Sequence, residues 1–215
     1  MKINNISKEL VLIDHLKRNM LYRVFDNEEK TFILLLLENK DYEGNFEVSL
    51  EGFNSKAQIL GIIIAGNKQK IKLYTHQNHT NNTSKSNLFI RSILFDKARM
   101  YYEGKIVIEK GAAKSDAYQK NQSLLMGRDC RIFTRPSLEI MENDIKCTHG
   151  STVSRIDGNN LYYLNTRGLT YLEAEKLIIE GFVWEVLKKI EDDVYREHLF
   201  DRIKINLSKR ISVHE

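Results

Sequence analysis

Apolar positions along most of the chain recur with a period of two, in short runs closed by polar turns. "KELVLID" (Lys8 to Asp14) is the first such run. "MLYRVF" (Met20 to Phe25), the polar "DNEEK" and "TFILLLLE" together predict a β-hairpin. "NFEVSLEGF" alternates over Phe46, Val48 and Leu50, and "KIKLYTHQ" alternates again. Between them "AQILGIIIAG" is apolar throughout, as expected of a strand buried on both faces. The same rhythm continues through "NLFIRSIL" (Asn87 to Leu94), Ala98 to Ile108, Ala117 to Met126, Cys130 to Met141 and Asp144 to Ser154. It is a repeat of spacing, not of residue identity. Many short strands with no helix between them fit stacked β-coils, a sandwich or a barrel, and periodicity does not choose among these.

The pattern changes after Asp157. "NLYYLNTRG" ends the β region, with Gly168 as punctuation. Thr170 and Glu173 then stand at capping-box spacing, which predicts a helix start. Ala174, Leu177, Ile178, Phe182 and Leu187 follow at helical spacing. Asp192 and Asp193 suit the positive end of a second helix, whose apolar face is Leu199, Phe200, Ile203 and Leu207. The expectation is a β-rich region over 1–168 and a helical hairpin within 169–215.

Composition narrows the functional classes. At 215 residues, with 42% hydrophobic and 29% charged residues, the chain is long and apolar enough to build a core without disulfides or a metal. With a single proline, and glycine at 11, the turns are expected to be built mainly by Asn, Asp and Gly. Lys and Arg number 33 against 29 Asp and Glu, a net +4 spread along the sequence with acids interleaved, so no nucleic-acid partner is expected. The longest apolar run, Phe32 to Leu37, is far short of a membrane span. Two cysteines make no disulfide framework and the first residues carry no signal-peptide pattern, which together suggest the cytoplasm.

Several side chains are candidates for chemistry. Cys147 and His149 stand two apart in a predicted strand and so share a face. Thiolate and imidazole suit iron, but two donors do not hold a cluster. Ile145 and Val153 have the same parity, so that face also reads as core. Cys130 lies between Arg128 and Arg131, cations that could lower a thiol pKa; a small buried residue at a turn is the plainer reading. His76 and His79 offer a weak zinc spacing inside a string, "HQNHTNNTSKSN", that reads as a loop. Ser115, Asp116 and His149 could be drawn as a hydrolase set, but no G-x-S-x-G elbow accompanies them. Glu139 and Glu142 are spaced wrongly for a carboxylate pair on one strand face.

From Lys110 to Val183 the residues carry a family pattern. "KGAAKSDAYQKNQSLLMG", "RPSLEIMENDIKCTHGSTVSRID" and "LYYLNTRGLTYLEAEKLIIEGF" occur in one order, and together they resemble the SufB/SufD family of iron–sulfur cluster assembly proteins. The resemblance implies a right-handed parallel β-helix followed by C-terminal helices. It also implies a scaffold and not an enzyme, and this chain has no phosphate-binding G-x-x-x-x-G-K-[ST] loop. Its implied partners are an ABC-type ATPase, SufC, docked on the C-terminal region, and a SufB-like chain or a second copy. Where SufB has its sulfur-accepting cysteine this chain has Asn121, and where SufB has a glutamate after the histidine it has Gly150. Both departures resemble the SufD type, whose "C-x-HG" is intact here as Cys147 and His149. These two are the implied cluster-assembly residues, with iron held transiently and no permanent cofactor. The family's N-terminal region has no counterpart in the sequence. Trp184, Val186 and Leu187 are the expected apolar anchor for the ATPase. The other reading is a non-catalytic β-helical interaction module descended from the same family.

Overall fold

The computed structural model describes residues 7–211. Eleven strands precede three helices: β1 (Ser7–Ile13), β2 (Asn19–Val24), β3 (Glu28–Leu36), β4 (Tyr42–Leu50), β5 (Lys56–Ala65), β6 (Lys70–His79), β7 (Lys85–Leu94), β8 (Arg99–Ile108), β9 (Asp116–Leu125), β10 (Arg131–Ile140), β11 (Lys146–Ser154), α1 (Gly158–Thr166), α2 (Tyr171–Leu187) and α3 (Asp193–Ile211). Odd-numbered strands form one sheet in the order β1-β3-β5-β7-β9-β11, and even-numbered strands form a second, β10-β8-β6-β4-β2. Every pairing is parallel, as in Lys85 with Asp116 and Lys70 with Arg99. The chain therefore winds between two facing sheets in about five turns, and the architecture is a parallel β-helix. Paired residues lie 21 to 32 positions apart, from Ser7 with Glu28 to Arg99 with Arg131. Two of the short runs read from the sequence thus make one coil.

The predicted hairpin over Met20 to Leu37 does not form. β2 and β3 belong to different sheets, because the "DNEEK" segment turns a corner instead of folding back. Asn27 sits there with φ +57°. The same left-handed conformation recurs at Asn54, Thr83 and Lys114 in the corners above it, and at Asn67 and Asp96 in the opposite corner. Asn and Asp tolerate that region best after glycine, which explains their turn-forming role in a chain short of glycine and proline. Successive corners are tied together: the Asn27 amide donates to the Phe53 carbonyl at 2.9 Å, and Asn54 Nδ2 donates to Asn27 Oδ1 at 3.0 Å.

Inward-facing side chains fill the coil. Phe32, Leu34, Phe46, Val48, Ile59, Ile63, Leu88 and Ile90 are fully buried in one continuous interior cluster. A second core lies outside the odd-strand sheet. There Ile33, Leu35, Leu60, Ile62, Ile64 and Ile93 meet Ile179, Val183, Leu187, Leu199 and Ile203 of α2 and α3. β5 is thus buried on both faces, as its unbroken apolar run requires. Arg91 fastens α2 to the sheet: Nη1 donates to the Phe182 carbonyl, and Nη2 donates to Gln122 Oε1 at 2.9 Å.

Two local expectations change. The segment from His76 to His79 is strand, not loop; only 80–84 turns the corner. After Asp157 the chain forms a third helix, α1, where an end of the β region was expected. The Asp157 side chain accepts from the Asn159 amide at 2.9 Å and starts that helix. Gly168, at φ +96°, separates it from α2. The capping box of α2 is present on both sides: the Thr170 hydroxyl accepts from the Glu173 amide and the Glu173 carboxylate accepts from the Thr170 amide.

Candidate functional site

The last coil, like the first, has a neighbour on one side only. Among the described residues β11 pairs only with β9, and β10 only with β8, so each has one open edge. In β11 Cys147 stands over Ala117, His149 over Gln119 and Ser151 over Asn121. These three have the inward parity of the buried residues beneath them, yet no further coil covers them. His149 is exposed and Cys147 is half-buried. Cys147 packs beside Ile106, Ile108, Ala112 and Ala117, and this burial pushes its thiol pKa up. The Ser151 hydroxyl donates to Thr134 Oγ1 at 2.8 Å and so joins the two sheets at the open end.

Beneath this coil the interior becomes polar. The Thr75 and Tyr102 hydroxyls lie 2.8 Å apart, fully buried, and burial holds the Tyr102 phenol far above its usual range. Gln119 Nε2 crosses between the sheets and donates to the Gly104 carbonyl at 3.3 Å. A Cβ at Gly104 would fall 2.3 Å from that nitrogen, so the glycine makes the crossing possible. Both side-chain atoms of Gln77 and of Asn121, and Gln119 Oε1, are buried without a partner in the protein. Periodicity did not reveal this polar stretch, since Gln77, Gln119 and Asn121 read as ordinary polar positions. It became visible only when the register stacked them.

The remaining candidates separate. His79 points inward, fully buried, with Nδ1 2.6 Å from Ser84 Oγ and Nε2 2.7 Å from Ser86 Oγ. His76 has the opposite parity, so the two histidines face away from a common ion. Desolvation lowers the His79 pKa to about 4, which keeps the imidazole neutral. Cys130 is fully buried just before β10, with its thiol donating to the Gly127 carbonyl at 3.0 Å. Ser115 bonds the Ser84 hydroxyl and Asp116 pairs with Lys85 at 3.1 Å, so neither turns to His149. Glu139 pairs with Lys105 at 2.5 Å, and Glu142 accepts from the Gly111 amide at 3.0 Å. No group of three or more His, Cys, Asp or Glu placed to hold a metal occurs among the described residues.

In the helices Val186 and Leu187 are buried in the core against the sheet. Trp184 is half-buried, with its ring edge-on to Phe200 at 5.1 Å. Exposed apolar side chains lie elsewhere: Tyr162 and Tyr163 of α1 and Tyr171, Leu172 and Leu177 of α2, with Val194 and Ile205 on α3. Of the residues that helical spacing named in α2, Ala174 and Leu187 are buried, Ile178 and Phe182 are half-buried and Leu177 is exposed, while the buried Ile179 and Val183 were not named. No described helix is long and apolar enough to cross a membrane.

Residues 22–182 match the family model described as SUF system FeS cluster assembly, SufBD core domain. The iron-sulfur cluster assembly protein SufD of Escherichia coli is 31% identical over 159 residues, covering 74% of this chain and 38% of that protein. SufD of Bacillus subtilis is 27% identical over 169 residues, 79% of this chain and 39% of its own. A SufBD family protein of Synechocystis, slr0076, is 27% identical over 146 residues, 68% of this chain and 32% of its own. The chain thus aligns with less than two fifths of each of these relatives. The family match spans all the strands from β3 to β11, including the open coil that carries Cys147 and His149, and the chain belongs to the SufBD family of iron–sulfur cluster assembly proteins.

Proposed function

We propose that the chain is a SufD-type scaffold subunit that joins a partner across its open coil, with a nascent iron–sulfur cluster as cargo at that junction. One observation carries this reading. The only thiol and imidazole of the family's "C-x-HG" pattern stand together on β11, a strand with an unpaired edge, and no third donor joins them among the described residues. A site with two donors needs the rest from a second chain or from sulfide. The open edges supply the means of pairing, since unpaired strand N–H and C=O groups accept a neighbouring strand. Phe133, Leu138, Ile140, Met141 and Val153 surround them with exposed apolar surface. The partner is a SufB-like chain or a second copy.

An ABC-type ATPase docks on the helical side. Its contact surface is the exposed stripe of Tyr162, Tyr163, Tyr171, Leu172 and Leu177, together with the exposed part of Trp184. Val186 and Leu187 act behind it by holding α2 on the sheet. The protein works in the cytoplasm as a scaffold, not as an enzyme.

The test is anaerobic purification of the tagged chain from its source cell, with partners identified by mass spectrometry and iron and sulfide quantified. The expected result is recovery of an ABC-type ATPase, and loss of iron in His149→Ala with the assembly intact. Cys147→Ala/His149→Ala with undiminished iron would remove these residues from the site. The chain would then be an interaction module without cluster chemistry.

A further inference from the structure

Among the described residues no helix packs over the outer face of the even-strand sheet, and the coil gathers cations along one of its borders. Lys70, Arg99 and Arg131 are register partners at the starts of β6, β8 and β10. They form a column with steps of about 4.8 Å, the spacing between paired strands. Lys68, Lys97 and Arg128 stand in the corners that lead into those strands, and all six side chains are exposed. Arg155 closes the upper end, donating from Nη1 to the Gly127 carbonyl at 2.9 Å. Carboxylates close by are turned to other groups. Asp41 accepts from the Lys70 amide at 2.7 Å, and Asp96 accepts from the Asn67 amide at 2.6 Å and lies against Arg210. The ion pairs of the sheet face go to other lysines, Lys72 with Glu43 and Lys105 with Glu139. Asp129 is the acid left on the ridge itself. The sequence spreads these cations some 30 positions apart, and the register collects them.

We infer that this ridge is a docking surface for an acidic segment of a partner protein, bound in extended form along the coil axis. Charge complementarity selects an anion. The ridge favours a carboxylate-bearing chain over nucleic acid for two reasons. Asp129 interrupts the positive field that a continuous phosphate backbone would need. The aromatic pair beside the column, Tyr101 and Phe133, is already stacked ring on ring at 5.3 Å and 10°, where base stacking would want open faces. The ridge lies on the side of the coil and does not depend on the cluster site.

The experiment is fluorescence anisotropy of a fluorescein-labelled octaglutamate peptide titrated with the full chain at low salt. Octaglutamine and an eight-nucleotide single-stranded DNA, carrying the same label, are run in parallel. Octaglutamate should bind, octaglutamine should not, and the complex should dissociate at high salt. Lys97→Glu/Arg99→Glu/Arg131→Glu should weaken binding by about tenfold or more. An equal reversal away from the ridge, Lys56→Glu/Lys110→Glu/Lys114→Glu, should leave most of it. Circular dichroism melting of both variants checks that the fold is kept; if the ridge variant unfolds, Arg99→Gln/Arg131→Gln replaces it. No octaglutamate binding, equal loss in the two reversals, or DNA binding as tight as octaglutamate would each overturn the assignment.

Discussion

The inner columns of the coil put the same position to two uses. One runs Phe32, Ile59, Leu88, Gln119, His149 from the lower coils to the open one, each residue paired in register with the next. The first four are fully buried, and His149 is exposed. Backbone geometry is the same throughout. What changes is whether another coil lies above. Where one does, the side chain is judged by packing, and where none does, it is free to meet a partner. The lower coils hold the structure together, and the last coil trades that stability for a surface.

Substitutions along this column should separate the two uses. Phe32→Ala removes a fully buried ring that touches Tyr22 and Phe46, with centroids 5.0 and 5.6 Å away. It should cost about 3–5 kcal/mol, the range for large-to-small changes in a core. His149→Ala, at the exposed end of the same column, should fall within about 0.5 kcal/mol of the parent. Urea unfolding followed by circular dichroism measures both. Comparable losses at the two positions would mean that the open coil is as tightly integrated as the closed ones.

Histidine sharpens the contrast, because His79 is sealed inside the coil and His149 is not. The buried imidazole of His79 has a pKa of about 4, below the ordinary 6.5 that it regains on unfolding. Between those values the unfolded chain binds the proton and the folded chain does not, so stability falls as pH drops from 6.5 towards 4. The full loss from this one group is about 3 kcal/mol, from 1.36 kcal/mol per pKa unit. His79→Asn should flatten the pH dependence of the urea midpoint across that window.

Much of this was legible in the sequence, but unevenly. Alternation located nearly every strand, because each coil buries one face and the period of two is imposed by that burial. Thr170 and Glu173 announced α2, because a capping box is a local device. The hairpin at "DNEEK" was misread because a corner of the coil and a hairpin turn use the same polar residues, and only the register distinguishes them. α1 was missed because its nine residues are too few for a period of 3.6 to repeat more than twice, and they bury only Leu161. Cys147 and His149 were found through the family pattern, whereas their exposure depends on β11 being the last strand. The polar interior and the cation ridge need the stacking of residues about 30 positions apart, which no local window contains.

Hydroxyl pairs repeat the comparison on a smaller scale. Ser92 and Ser123, register partners on β7 and β9, lie 2.7 Å apart in the closed interior, while Ser151 and Thr134 bridge the two sheets at the open end. Ser123→Ala leaves a buried hydroxyl unsatisfied and should cost about 1–3 kcal/mol. Ser151→Ala leaves Thr134 able to reach water and should cost less, about 0.5–1 kcal/mol. Differential scanning calorimetry of the two variants orders them.

The smallest effect is kinetic, and it tests the open coil at the level of one atom. Cys130 is wholly enclosed and its thiol donates a hydrogen bond to the Gly127 carbonyl, so a reagent reaches it only when the coil opens. Cys147 is half-buried, and its thiol pKa is raised by that burial, so at neutral pH little of it is thiolate. Thiolate is the reactive form. Iodoacetamide should therefore label Cys147 more slowly than a small free thiol, and Cys130 hardly at all, when the products are read by intact-mass spectrometry. Raising the pH should speed Cys147 in step with its ionisation, while Cys130 stays protected until unfolding. A partner seated on β11 should then protect Cys147 as well. Labelling of Cys147 at an unchanged rate in a purified complex would place the partner somewhere other than the open coil.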